Sequence, residues 1–191
     1  MAAACLDGGA TFLQLRAKQR SSAWLLDTAE HLVTLGQRYG AQVIVNDRAD
    51  VALLAGAAGV HVGQEDLAPA AVRRLLGGGR IIGFSTHSAE QLDHAVQQPI
   101  TYVAVGPIFG TASKDTGYHA VGLRLVEEAA ARARPRGLDV VAIGGITLDR
   151  AADVIRAGAT SVAIISDLLS TGDPRARVAQ YLDKLSAVGR V

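Results

Sequence analysis

VNDRADVALLAGAAGVHVGQED, residues 45–66, holds a strand, a helix and a second strand in the space of one short segment. The apolar run Val43–Val45 leads into it and stops at Asn46-Asp47; the run Gly59–Val62 stops at Gln64-Glu65-Asp66. Between them Ala49 to Gly56 has the length and composition of a short helix. Two strands joined through a helix lie parallel, so their carboxyl ends, and the acids that follow each, share one face of a sheet.

The same unit recurs along the chain. Strands are predicted at FLQLR (12–16), VIVND (43–47), GVHVG (59–63), IIGFS (81–85), YVAVG (102–106), VVAIG (140–144) and SVAII (161–165). Helical spacing fills 22–39, 49–56, 68–76, 88–97, 120–134, 148–157 and 173–187. In the first of these, Trp24, Leu25, Thr28, Leu32 and Leu35 share one face. Ser88, with Gln91 three residues on, has the form of a capping box, and Pro69 and Pro174 suit a first helical turn. DGGATFLQL, LAGAAGVHV and RAGATSVAI form a weak internal repeat: a helix end, a Gly-Ala pair, then an apolar strand. Strand-to-strand spacing of about 20 residues is compact for a doubly wound sheet and natural for a (β/α)8 TIM barrel. Seven strands are legible where eight are expected. DGGATF marks a helix end with only Met1–Leu6 before it, so residues 1–191 are expected to form one barrel domain lacking its first strand and most of its first helix.

Composition narrows the function. Lys plus Arg number 19 against 18 Asp plus Glu, a net charge of +1, which gives no global attraction to nucleic acid or anionic membrane. Aromatic residues are 4%, too few for stacking on single strands. No apolar run reaches the roughly 18 residues of a membrane span, and Met1-Ala-Ala-Ala lacks the form of a secretory signal. The single Cys5 excludes an internal disulfide framework and reads as helix packing. A cytoplasmic globular protein is expected. The missing first strand leaves three readings: the start is internal, the strand comes from elsewhere, or an open sheet edge risks association and allows a homo-oligomer.

Active sites of parallel barrels lie at the carboxyl ends of the strands, and polar residues collect there. Gln14, Arg16 and Lys18 alternate, which places their tips on one side of an extended strand; a fork and a point charge suit phosphate oxygens. Asp47 and Asp66 follow neighbouring strands. Each has an alternative as helix cap, for the segments from Ala49 and Pro69 respectively; together they suit Mg²⁺, which takes one or two carboxylates plus phosphate oxygens and water. Ser85, Thr86 and His87 end the fourth strand. GPIFGTASKDTGYHAVG supplies Thr111, Ser113 and Lys114. Gly144-Gly145-Ile146-Thr147 opens a helix with backbone N–H groups that suit phosphate, and Ser166 follows the last strand. Glu65 points away from its neighbours. His87 and His119 are acid–base candidates that read more simply as surface or hydrogen-bonded histidines, and His61 reads as a core histidine.

QLRAK (14–18), VNDRADVAL (45–53), GVHVGQEDL (59–67), IIGFSTHS (81–88), YVAVGPIFGTASKDT (102–116) and AIGGIT (142–147) together resemble the thiamine-phosphate synthase family, from about residue 6 onward. The resemblance implies a (β/α)8 barrel that joins the diphosphate of hydroxymethylpyrimidine to thiazole phosphate, forming thiamine phosphate and pyrophosphate with Mg²⁺. It implies a dissociative path in which pyrophosphate leaves first and the thiazole nitrogen traps a pyrimidinylmethyl cation. Carried over by position, Gln14, Leu15, Arg16, Ala17, Lys18, Asn46, Ser85 and Lys114 hold the pyrimidine diphosphate. Arg16, Lys18, Ser85 and Lys114 are the catalytic set among them. Asp47 and Asp66 bind the metal, and Thr111, Ala112, Ser113, Gly145, Ile165 and Ser166 form the thiazole-phosphate site. Ser113 stands where threonine is common in the family, and keeps the hydroxyl. Two other readings are a thiazole tautomerase-like relative and a non-catalytic phosphate-binding barrel. Retention of Arg16, Lys18, Asn46, Asp47 and Asp66 argues against the first; binding without turnover would mark the second.

Overall fold

In the computed structural model, which describes residues 1–110 and 119–188, seven strands form one sheet. They are β1 (Phe12–Leu15), β2 (Gln42–Asn46), β3 (Gly59–Val62), β4 (Ile81–Thr86), β5 (Tyr102–Val105), β6 (Asp139–Ile143) and β7 (Ser161–Ala163). All pair in parallel and in chain order, leaving β1 and β7 as the two edges. The architecture is an open half-barrel of TIM type rather than a closed eight-stranded ring. Helix α1 (Ala2–Asp7) precedes β1. The crossovers are α2 (Ser22–Arg38), α3 (Ala49–Leu54), α4 (Pro69–Leu76), α5 (Ala89–Ala95), α6 (Gly122–Ala133) and α7 (Leu148–Arg156), and α8 (Ser166–Leu169) and α9 (Pro174–Ser186) follow β7.

Local sequence explains where these elements start and stop. Ser21 Oγ accepts from Trp24 N at 3.3 Å and opens α2. Ser88 Oγ accepts from Gln91 N at 3.2 Å and opens α5, but the Gln91 side chain reaches back to the His87 N–H, one residue earlier than a capping box would have it. In the three-fold repeat, Gly9, Gly56 and Gly158 all sit at positive φ, so each copy turns from helix to strand through a left-handed glycine.

The pleat sorts side chains into two layers. Val45, Val60, Val62, Ile82, Phe84, Val103, Val105, Val140 and Ala142 face the helices and form the main core with Leu25, Val72, Leu92, Val126 and Val154. The opposite face forms a smaller inner cluster of Ile44, Tyr102 and Ala104 against Ala58, Ile81 and Val141. Along the register the inner face runs Asn46↔His61, His61↔Gly83 and Gly83↔Tyr102. Apolar residues of the interior give way to polar ones toward the carboxyl ends of the strands, which is where a barrel builds its site. No described helix is long and apolar enough to cross a membrane.

Candidate functional site

Strand β1 ends at Leu15, so Arg16 and Lys18 stand in the loop beyond it and their positions are not set by strand alternation, as the sequence pattern had suggested. Gln14, at the end of the pleat, Arg16 and Lys18 are all exposed. Leu15 and Ala17 pack against the main core, so only their backbone faces the mouth. What places Lys18 is an ion pair: its Nζ lies 3.0 Å from Asp47 Oδ2. Arg16 makes no ion pair or hydrogen bond with another described residue, and its guanidinium is available to an external anion.

Asp47 holds φ of +64°, the one non-glycine residue with positive φ among those described. Aspartate tolerates this left-handed conformation better than most side chains do, but it is still uncommon outside glycine and survives only where its surroundings fix it. Here the Asp47 N–H donates to the His61 carbonyl at 2.7 Å, while Arg48 anchors the next turn through Asp50 at 2.6–2.8 Å and Ser22 at 2.9 Å. Asp66 is fixed differently: its Oδ2 accepts from the Gly63 N–H at 2.7 Å. Neither acid caps a helix. The residue before α3 is Arg48 and before α4 is Ala68, and neither helix has a side-chain cap. Burial pushes the Asp66 carboxyl above its ordinary range; the Gly63 N–H opposes this, and the adjoining Asp47 carboxylate adds to the rise by hydrogen bonding and by charge. Two carboxylates from neighbouring strand ends thus converge, with Lys18 beside them.

No group of three or more acidic, histidine or cysteine side chains gathers among the described residues. A pair of carboxylates at an open mouth instead fits a hard divalent ion that takes its remaining ligands from phosphate and water. Across the mouth, Ser85 is held from two sides. Its carbonyl accepts from Gln64 Nε2 at 2.6 Å, and its Oγ lies 2.7 Å from His61 Nε2. Asn46 is half-buried beside His61 in the register. His87 meets the Gly106 carbonyl through Nδ1 at 2.5 Å, a hydrogen-bonded histidine as expected, and His119 is exposed. Glu65 is exposed.

The opposite side of the mouth is built on glycine. Gly144 and Gly145 sit at φ of +101° and +62°. A Cβ on Gly144 would strike Pro107 at 2.6 Å and one on Gly145 the Gly110 carbonyl at 2.6 Å. The loop after β5 therefore lies directly on the diglycine, bonded through Phe109 N to the Gly144 carbonyl at 3.0 Å. Thr111, Ala112, Ser113 and Lys114 lie outside the described residues. Ile165 and Ser166 are exposed, Ser166 as the first residue of α8.

A part-buried bracket, not foreseen from the sequence, ties the loop after β6 to α8 and α9. Asp167 pairs with Arg177 through two bonds of 2.9 and 3.1 Å, and accepts from the Tyr181 hydroxyl at 2.6 Å. The same hydroxyl reaches the Ile146 carbonyl at 3.4 Å. Burial alone would raise the Asp167 carboxyl, but the Arg177 and Tyr181 hydrogen bonds outweigh it and the net shift is downward. A carboxyl lowered in the folded state stabilises above its unfolded pKa, and that stabilisation is lost as pH falls through the folded value. Asp167→Asn is therefore expected to cost about 2 kcal/mol at neutral pH. Thermal melts across acid pH should show the gap between parent and variant shrinking below about pH 4; a gap constant with pH would remove the charge from the explanation.

The sequence pattern of the thiamine monophosphate synthase family matches residues 1–168. The chain belongs to that family. A thiamine-phosphate synthase of Roseiflexus castenholzii is 43% identical over 94% of this chain and 78% of its own length. One from Synechococcus sp. (strain WH7803) is 44% identical over 96% of this chain and 51% of its own, so this chain spans about half of that relative. The solved thiamine phosphate pyrophosphorylase from Pyrococcus furiosus superposes with a TM-score of 0.88 at 29% identity, covering 98% of this chain and 88% of that one. Membership carries thiamine-phosphate synthase function, a transferase reaction of thiamine biosynthesis, on a TIM-type fold.

Proposed function

We propose that the mouth transfers the pyrimidinylmethyl group of hydroxymethylpyrimidine diphosphate to the nitrogen of thiazole phosphate, giving thiamine phosphate and pyrophosphate. The observation that carries this reading is the convergence of Asp47, Asp66 and Lys18 beside an exposed, unpaired Arg16. Acids and bases in one place suit a metal-chelated diphosphate; acids alone would repel it. Asp47 and Asp66 would hold Mg²⁺, which when bound would neutralise charge building on the departing diphosphate.

The chain's own residues supply the rest. Arg16 and Lys18 offer donors to the diphosphate oxygens as the C–O bond breaks, and Lys114 is assigned the same role. Gln14, Asn46 and Ser85 border the interior, where the pyrimidine ring would sit. Thr111, Ala112, Ser113, Gly145, Ile165 and Ser166 are assigned to thiazole phosphate, for which the adjoining β5, β6 and β7 loops offer backbone N–H groups. No strong base is needed at the new C–N bond, because the thiazole nitrogen attacks with its own lone pair once the leaving group has gone. The reaction belongs in the cytoplasm, where such soluble phosphorylated intermediates are kept.

Pyrophosphate release is the decisive assay: it should require Mg²⁺ and both substrates together. Release absent under those conditions, with thiazole phosphate still bound in calorimetry, would instead indicate a binding barrel. Lys114→Ala should retain the parent circular dichroism and lower turnover roughly 10²–10³-fold, the usual cost of one preorganised partner of transition-state charge; turnover close to the parent's would remove Lys114 from the catalytic set.

A further inference from the structure

His61 is 8% exposed and lies on the inner face of β3, bonded at both ends of its ring. Nδ1 is 2.8 Å from the Tyr102 hydroxyl and Nε2 is 2.7 Å from Ser85 Oγ. The two rings lie side by side at 25°, and Phe12 braces Tyr102 edge-on with centroids 6.3 Å apart. Gly83, between them in the register, is what lets them meet, since a Cβ there would collide with the Tyr102 ring and His61 Nδ1.

We propose that Tyr102 and His61 are positioning residues that fix the polarity of the Ser85 hydroxyl, presenting it to the pyrimidine substrate as a hydrogen-bond donor. The inference rests on the reading that Ser85 borders that substrate. The direction follows from proton accounting. Among the described residues the Tyr102 hydroxyl has one hydrogen-bond partner, His61 Nδ1. Were Nδ1 to carry the proton, the phenolic proton would be buried with no acceptor, a cost of about 1–3 kcal/mol. Tyr102 therefore donates, and its burial, which raises the phenol well above its ordinary value, keeps that proton in place. With Nδ1 accepting, the neutral ring carries its proton on Nε2 and donates to Ser85 Oγ. Ser85 then has its own proton to give, while Gln64 ties down its backbone carbonyl. An acceptor on the substrate, such as a pyrimidine ring nitrogen, meets a donor already aimed.

The tautomer can be read without substrate. In ¹⁵N-histidine-labelled protein at about pH 8, where an ordinary imidazole is neutral, two-bond ¹H–¹⁵N correlations should show His61 as the Nε2–H form. The resonance is assigned by its loss in His61→Gln, and the Nδ1–H form in the parent would overturn the relay. Kinetics tests its consequence. Gln can place an N–H near the Nε2 position and Asn only near Nδ1, so His61→Asn should raise the KM for pyrimidine diphosphate about tenfold and His61→Gln about threefold or less, with the KM for thiazole phosphate unchanged in both. Equal effects of Asn and Gln, or a rise in both KM values, would mean packing alone and refute the positioning role. Ser85→Ala separates the two layers of the argument. An unchanged pyrimidine-diphosphate KM there would overturn the placement of that substrate, whereas the tautomer measured in the parent stands or falls by itself.

Discussion

Asp47→Asn should fold as the parent does, melt no lower, and lose turnover by roughly 10³-fold or more. The loss follows from the charge. An amide cannot replace a carboxylate as ligand to a hard divalent ion, and Lewis-acid stabilisation of a leaving diphosphate amounts to several kcal/mol, at 1.36 kcal/mol for each factor of ten. The unchanged stability follows from three smaller effects. Asparagine tolerates the left-handed conformation that Asp47 holds at φ of +64° about as well as aspartate does. The ion pair to Lys18 is lost, but the Lys18 side chain is 56% exposed and such pairs contribute only about 0–1 kcal/mol. Against that loss, Asp66 no longer faces a second carboxylate. Asp47→Ala provides the contrast, because alanine at positive φ is strained by about 1–2 kcal/mol and should lower the melting temperature as well as the rate. Thermal melts alongside pyrophosphate release at saturating Mg²⁺ make the comparison. Turnover of Asp47→Asn within threefold of the parent would take the metal away from this pair of acids.

That acid pair was legible in the sequence because topology alone decides it. Once Val43–Val45 and Gly59–Val62 are read as neighbouring parallel strands, the residues after each must share a face, whatever the side chains do. The Gly-Ala repeat was legible for a similar reason: a helix must end and a strand begin within a few residues, and glycine at positive φ is the economical way. Lys18 was harder. It lies past the end of β1, where the two-residue period no longer operates, and an ion pair with Asp47 sets its place instead. The bracket of Asp167, Arg177 and Tyr181 was not legible at all, since it depends on how α9 docks, and nothing local in PRARVAQYLDKLS announces a partner in another loop. His61 was read correctly as interior, but its role needed the register. Only the rows Asn46↔His61, His61↔Gly83 and Gly83↔Tyr102 bring the phenol and the imidazole together across a glycine, with Ser85 two residues further along β4 within reach of the ring. Period-two counting from each strand would have put them on the inner face; their common height comes from the stagger of the strands, which single segments do not encode.

That stagger also makes Gly59→Ala the substitution expected to harm the fold most. Gly59 opens β3 on the inner face, paired with Ile44 on one side and Ile81 on the other. A Cβ at this position would run into the Ile81 backbone, its carbonyl oxygen, carbonyl carbon and Cα together. A clash with a side chain can be relieved by a new rotamer; one with the neighbouring strand's backbone can be relieved only by moving β3 from β4. That movement would disturb the seats of His61, of Gly63 with Asp66, and of Ser85 together, because all three hang on these two strands. Overpacking of this kind costs about 3 kcal/mol, which for a chain of this size lowers the melting temperature by roughly 6–12 °C. Gly78→Ala is the matched control. Nothing lies within 4 Å of its Cβ and its φ is not positive, so there the same methyl should be neutral or stabilise by up to about 1 kcal/mol through the unfolded chain. Parallel denaturant melts of the two variants isolate the effect. If Gly59→Ala unfolds at the same midpoint as Gly78→Ala, then β3 and β4 are not held as closely as the site requires, and the line from Tyr102 through His61 to Ser85 loses the frame that aligns it.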